Sequence, residues 1–193
     1  MAEPVLSDGA LAIRAADGDE PAFEVLVGRH KVALYRLARR YVGDADDADD
    51  IVQASFVSAW GALKRYDPTR GFAAWLRTIA LNKCRDHGRR AVVRRLLMIP
   101  VAASRANIVA DPQPGADVEL IAQEELATLN WAIVRLPRAL KEPLLLTLIV
   151  GLSQAEAGRE LGISAKAVET RIYRARRALT EAIAKDGRSG EYG

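Results

Sequence analysis

Residues 151–179 read GLSQAEAGRELGISAKAVETRIYRARRAL, and their spacing predicts two short helices joined by a tight turn. Ser153, followed three residues later by Glu156, is a capping-box start, in which each side chain satisfies a backbone N–H near the other. At Leu161-Gly162-Ile163 the glycine supplies the left-handed conformation that ends a helix, and Ser164 can cap the next one. On that second helix Val168, Ile172, Ala175 and Leu179 recur every three or four residues and share one face. At about 100° per residue, Lys166, Thr170, Tyr173 and Arg177 fall opposite. Arg171 and Arg174 flank them on one side, Glu169 and Arg176 on the other. This is a helix-turn-helix plan, whose second helix enters the DNA major groove. An ordinary helical hairpin with a solvated basic face is the competing reading. The caps, turn, seam and outer-face chemistry together favour DNA.

The chain of 193 residues is long enough for one large or two small domains. Its formal net charge is only +3, but the charges are unevenly spread. Asp44, Asp46, Asp47, Asp49 and Asp50 crowd one stretch; Lys83, Arg85, Arg89, Arg90, Arg94 and Arg95 crowd another. That asymmetry points to two macromolecular partners rather than one small substrate. The single cysteine, Cys84, excludes an internal disulfide, and His30 and His87 lie far from any cysteine pair, so no zinc spacing exists and no metal or cofactor is expected. No basic segment followed by an apolar run opens the chain, and no apolar run is long enough to span a bilayer. A cytoplasmic protein without membrane insertion is the expectation.

Residues 1–9 are expected to be disordered. From Leu11 the pattern is helical, broken around Gly18-Asp19-Glu20-Pro21, with Pro21 suited to a new helix start. Phe23, Leu26, His30, Leu34, Leu37 and Tyr41 keep helical spacing to Gly43. A third helix carries Val52, Phe56, Ala59, Trp60 and Leu63; Pro68 and Gly71 then mark Tyr66–Gly71 as a loop. A fourth helix is predicted from about Phe72 to about Arg90, burying Phe72, Leu76 and Ile79. Pro100, Pro112, Pro114 and Gly115 mark a linker. Beyond it, Ala122, Leu126, Leu129, Ile133 and Leu136 share a helical stripe. Pro137 begins another helix carrying Leu144, Leu145 and Leu148, in which Pro143 predicts a kink or a late start. The Gly-rich tail after about Lys185 is expected to fray. No alternating strand pattern occurs, so the expected fold is all-α: two small helical domains on a flexible linker.

Two further stretches carry chemistry. For DADDADDIVQASFVSAW, residues 44–60, a calcium loop lacks its glycine and terminal glutamate, and a paired-carboxylate catalytic site lacks a base or nucleophile. An acidic turn at the positive end of the next helix and an acidic docking surface both remain, the first slightly ahead on spacing. In YDPTRGFAAWLRTIALNKCRDHGRR, residues 66–90, Asn82, Arg85, Asp86 and Arg89 form one polar face. Asn can read a base edge and Arg a phosphate or guanine, so nucleic-acid contact and simple solvation stand level there. Flipped bases can stack on aromatics, yet for Phe72 and Trp75 core packing is the better reading.

The chain as a whole resembles the extracytoplasmic-function, or group IV, sigma factors of the sigma-70 family. Three blocks in order carry the likeness: Asp47 to Gln53 with Phe56 and Trp60; Phe72 to Asn82 with Asp86, Arg89 and Arg90; and Leu136-Pro137 followed by the Gly151–Arg176 motif. The resemblance implies region 2 over residues 10–95, a linker over 96–117 and region 4 over 118–185. It implies that Asp47, Asp50 and Gln53 dock on the clamp helices of the polymerase's largest subunit, which raises the docking reading of the acidic helix above the capping one. It implies that Tyr66, Arg70, Phe72, Asn82, Arg85 and Arg89 recognise and open the −10 promoter element. Lys166, Thr170, Arg171, Tyr173, Arg174 and Arg177 would read the −35 element, with the other face of region 4 on the flap of the second-largest subunit. Family members are usually held inactive by an anti-sigma factor, which is expected here too.

Three positions depart from the family pattern. Ala54 stands where an acidic residue is common, Glu169 where a lysine is frequent, and Gly158 where alanine is usual. Gly158 costs about 1 kcal/mol of helix propensity and permits close helix packing. The implied function is an alternative sigma factor, a DNA-binding initiation subunit with no catalytic activity and no catalytic residues. A stand-alone helix-turn-helix regulator would not account for the first two blocks. A small enzyme has no nucleophile–base pair, phosphate loop or metal set behind it.

Overall fold

The computed structural model describes residues 6–97 and 116–189. The chain divides into two compact units, Met1–Pro100 and Val101–Gly193. Among the described residues the regular structure is entirely helical: eight α-helices and two single-turn 3-10 helices. The expected linker falls largely on residues 98–115, outside the described residues.

In the first unit α1 spans Asp8–Ala16, α2 Glu20–Val42, α3 Ala45–Ala62 and α4 Phe72–Leu97. The helix expected from Leu11 begins earlier, because Ser7 Oγ accepts the Ala10 N–H and Asp8 is tied to α2 by Arg29 Nη1 at 2.8 Å and His30 Nε2 at 2.7 Å. Asp19 caps α2, Pro21 lies in its first turn, and Gly43 at φ +89° ends it. Leu26, Leu34, Leu37 and Tyr41 from α2 meet Val52, Phe56 and Ala59 from α3 and Phe72, Leu76, Ala80 and Cys84 from α4 in one core. Burying each Leu, Val or Phe stabilises by about 1.5–3 kcal/mol, well above any exposed ion pair here. Ile79, expected inside, is only half-buried, and α4 runs on past Arg90. Trp60 lies at the edge, half-exposed, with its ring 4.9 Å from that of Phe23.

In the second unit α5 spans Ala116–Arg135, α6 Arg138–Leu148, α7 Gln154–Leu161 and α8 Ala165–Ser189. Helix α8 packs against the other three. Its Val168, Ile172, Ala175 and Leu179 are buried, together with Ile133, Leu136 and Leu144–Leu146. Helix α6 starts directly after Pro137 and continues through Pro143, so the late start does not occur. Only one i→i−4 donor is lost there, and the Pro143 ring is buried in the core. Leu126 and Leu148, expected inside, are exposed. The side chain of Ala122 lies outside the described residues. Of the tail expected to fray after Lys185, α8 continues to Ser189, and residues 190–193 lie outside the described residues.

Among the described residues no helix is long and apolar enough to cross a membrane, and no group of His, Cys, Asp or Glu side chains could hold a metal ion.

Candidate functional site

The five aspartates before and within α3 divide by role. Asp44 is the cap, its Oδ1 accepting the Asp47 N–H at 3.0 Å, and Asp46 and Asp47 occupy the positive first turn. Asp47 also faces His87 Nε2 of α4 at 3.3 Å. Asp50 and Gln53 are exposed and, three residues apart, share a helix face. Val57 continues that face and is 73% exposed. Spacing did not single it out, because it lies off the buried stripe of Val52, Phe56 and Ala59. An exposed β-branched residue in line with Asp50 and Gln53 is the signal that would have found it.

The loop between α3 and α4 is pinned at both ends by rings. Tyr66 at its start packs edge-to-face on Phe72 at its end, centroids 5.8 Å apart, and both meet Trp75 at 5.1 and 5.7 Å. His30 covers Phe72 from the other side at 5.4 Å. Between the pins, Asp67 accepts from the Thr69 hydroxyl at 2.7 Å and the Thr69 N–H at 3.0 Å, which hold its carboxyl below the usual range. Gly71 at φ +61° and ψ +126° lets the chain turn into α4, a conformation that side chains rarely adopt. Arg70 is left exposed at the tip.

Of the six side chains expected at the −10 element, Phe72 and Tyr66 are inside. Phe72 is 2% exposed and lies in the core, as the core-packing reading of its ring expects. Tyr66 is buried with it, and its hydroxyl has no hydrogen-bond partner among the described residues. Burial, helped by the nearby Asp8 and Asp67 carboxylates, pushes that phenol above its ordinary value. Arg70, Asn82 and Arg89 are exposed and Arg85 half so. On α4, Arg85 Nη1 donates to Asn82 Oδ1 at 2.8 Å and Arg89 pairs with Asp86, so the polar face is laced along the helix.

The third surface is the outer face of α8. The capping box forms in full at the start of α7: Glu156 Oε2 accepts from the Ser153 N–H at 2.8 Å, and Ser153 Oγ accepts from the Glu156 N–H at 3.2 Å. Gly162 ends α7 at φ +68°, and Ser164 Oγ accepts the Ala167 N–H at 3.1 Å to open α8. Gly158 sets the angle. A Cβ there would lie 2.7 Å from the Ile163 carbonyl oxygen, so only glycine allows the turn to close this tightly. With the seam of Val168, Ile172, Ala175 and Leu179 inside, Lys166, Tyr173, Arg174 and Arg177 project into solvent. Thr170 and Arg171 are partly covered, and Tyr173 is 68% exposed. Lys166 Nζ contacts Glu169 Oε2 at 2.8 Å and Arg177 Nε contacts Glu181 Oε1 at 2.9 Å. A rigid pair of helices with cations and an exposed tyrosine on one face is built to lie along a polyanion.

Comparison with known proteins agrees with this geometry. The family profile described as Sigma-70 region 2 matches residues 26–93, and that described as Sigma-70, region 4 matches residues 131–179. The RNA polymerase sigma factor CnrH of Cupriavidus metallidurans is 42% identical over 186 residues, covering 95% of this chain and 97% of the relative. The ECF RNA polymerase sigma factor SigW of Bacillus subtilis is 32% identical, covering 86% of this chain and 91% of the relative. The solved structure of CnrH in complex with the cytosolic domain of CnrY superposes with a TM-score of 0.67 at 40% identity, covering 93% of this chain and 98% of that one. Matching profiles on each unit, in order, and full-length similarity to these relatives lead to one assignment: the chain belongs to the extracytoplasmic-function sigma factors of the sigma-70 family.

Proposed function

We propose that this chain is a non-catalytic initiation subunit that binds core RNA polymerase in the cytoplasm and directs it to specific promoters. Residues 10–95 act as region 2. The Asp50, Gln53 and Val57 face of α3, with Asp47 at its end, docks on the clamp helices of the largest subunit. Arg70, Asn82, Arg85 and Arg89 contact the −10 element, while Tyr66 and Phe72 hold the loop that carries Arg70. Residues 118–185 act as region 4, joined through a linker over 96–117. There Lys166, Thr170, Arg171, Tyr173, Arg174 and Arg177 read the −35 element, and the opposite face meets the flap of the second-largest subunit. Two weak DNA sites on one polymerase raise each other's effective concentration, so neither unit need bind promoter tightly alone. An anti-sigma factor opposes core binding, as suggested by the CnrH structure, which holds the cytosolic domain of CnrY.

One observation carries the reading: α8 projects Lys166, Tyr173, Arg174 and Arg177 from a face opposite its buried seam, on a turn held tight by Gly158. The test is run-off transcription by core polymerase with and without the protein. Promoter-specific transcripts are expected only with it, and substituting Lys166→Ala or Arg171→Ala should weaken a −35-dependent promoter. Promoter-specific DNA protection by the protein without polymerase, and no stimulation with it, would refute the assignment.

A further inference from the structure

The first two turns of α8 hold one carboxylate, Glu169, among Lys166, Thr170 and Arg171. Its Oε2 lies 2.8 Å from Lys166 Nζ, and both side chains are largely in solvent. An exposed pair at this spacing adds a few tenths of a kcal/mol at best, so folding does not call for it. Against a polyanion an unpaired carboxylate is repelled by phosphates. Lys166 offsets that charge from one side, and a donor on a base edge would offset it from the other. The neighbouring Thr170 hydroxyl already donates to the Lys166 carbonyl at 2.9 Å, which leaves the ammonium and the carboxylate as the adjacent polar ends of this turn.

Major-groove chemistry identifies the complement. Guanine offers acceptors at O6 and N7, cytosine a donor at its N4 amino group, and carboxylates accept from that group. We propose that Lys166 and Glu169 read as a unit: the ammonium donates to a guanine, and the carboxylate accepts from the N4 amino group of a cytosine in the same or the next base pair. Glu169 is thus a specificity-determining residue of the −35 reader, and its ion pair holds the Lys166 side chain on the reading face before DNA arrives. This rests on the promoter-reading role proposed above for α8.

The test is a promoter library randomised across the upstream element, transcribed by core polymerase reconstituted with the full-length protein, with Glu169→Gln and with Glu169→Ala. The wild type should enrich a cytosine next to, or paired with, a selected guanine. Glutamine makes its best contact with adenine N6 and N7, so Glu169→Gln should move that one position from cytosine to adenine. Glu169→Ala should flatten the preference there by about tenfold, the range expected for one base contact, and leave other positions alone. Both variants should remain folded, with the melting temperature of the wild type, since Glu169 is exposed and lies outside the buried seam. Three identical preference profiles with a clear upstream element would overturn the inference and leave the promoter-reading role standing. An absence of any upstream element with the wild-type protein would overturn both.

Discussion

His87 on α4 reaches the first turn of α3, its Nε2 3.3 Å from a carboxylate oxygen of Asp47. The acidic end of α3 is therefore already engaged by the helix that carries Asn82, Arg85 and Arg89. Asp50 and Gln53 are exposed one and two turns further on. Asp50→Ala with Gln53→Ala should weaken core polymerase binding by about tenfold, roughly 1.4 kcal/mol, in a titrated pull-down. Asp47→Ala should weaken it less. An equal loss from Asp47→Ala would mean that the His87 contact does not hold in solution.

Gly158→Ala sets two effects against each other. Alanine gains about 1 kcal/mol of helix propensity in α7. Its Cβ would meet the Ile163 carbonyl oxygen at 2.7 Å, a backbone atom that cannot swing aside. Overpacking of this kind costs about 1–3 kcal/mol, so the clash should prevail and lower the melting temperature of the second unit. A variant as stable as the parent would show that the turn opens without loss.

The Asp8 carboxyl links α1 to α2. Burial alone would raise its pKa, but hydrogen bonds from Arg29 and His30 and their charges leave it below the ordinary value of 3.8. A lowered carboxylate contributes stability that is present above the unfolded value and lost as pH falls through the folded one. Protection of the α1 amides, measured against their intrinsic exchange rates, should fall as the pH drops below about 4, and Asp8→Asn should remove that acid dependence at a cost of about 1 kcal/mol or less at neutral pH. Acid-dependent exchange unchanged in the variant would assign the effect elsewhere.

Tyr66→Phe deletes a buried hydroxyl that has no partner among the described residues. Removing an unsatisfied polar atom while keeping the ring should be neutral or stabilise by up to about 1 kcal/mol. A melting temperature several degrees lower would reveal a partner for that oxygen.

How much of this was legible depended on whether local or distant residues decide an element. The helix-turn-helix was readable in full because its caps, its terminating glycine and its seam all lie within 29 consecutive positions, residues 151–179. The start of α1 was not, since its first residue is secured by Arg29, 21 positions away. Helical spacing placed Leu126 and Leu148 on apolar stripes, but it does not say how wide a stripe the neighbours cover, and both lie outside it. The Tyr66 and Phe72 pair shows the converse. Aromatics beside a glycine-bearing loop suit either stacking on bases or closing the loop, and only the ring contacts with Trp75 and His30 separate the two. In the acidic cluster, spacing could not divide capping from docking, and the fold assigns Asp44 to the first while leaving Asp50 open to solvent.

The contact between Gly158 and the Ile163 backbone carries an evolutionary corollary. The orientation of α8 is fixed by main-chain approach and by a seam that never meets solvent. Lys166 and Glu169 pair with each other, Thr170 donates to the Lys166 carbonyl and Arg177 pairs with Glu181, all within α8 itself. The buried seam and the outer face of α8 therefore draw on separate sets of positions. Substitutions on the outer face of α8 can change its chemistry without renegotiating the fold that carries it.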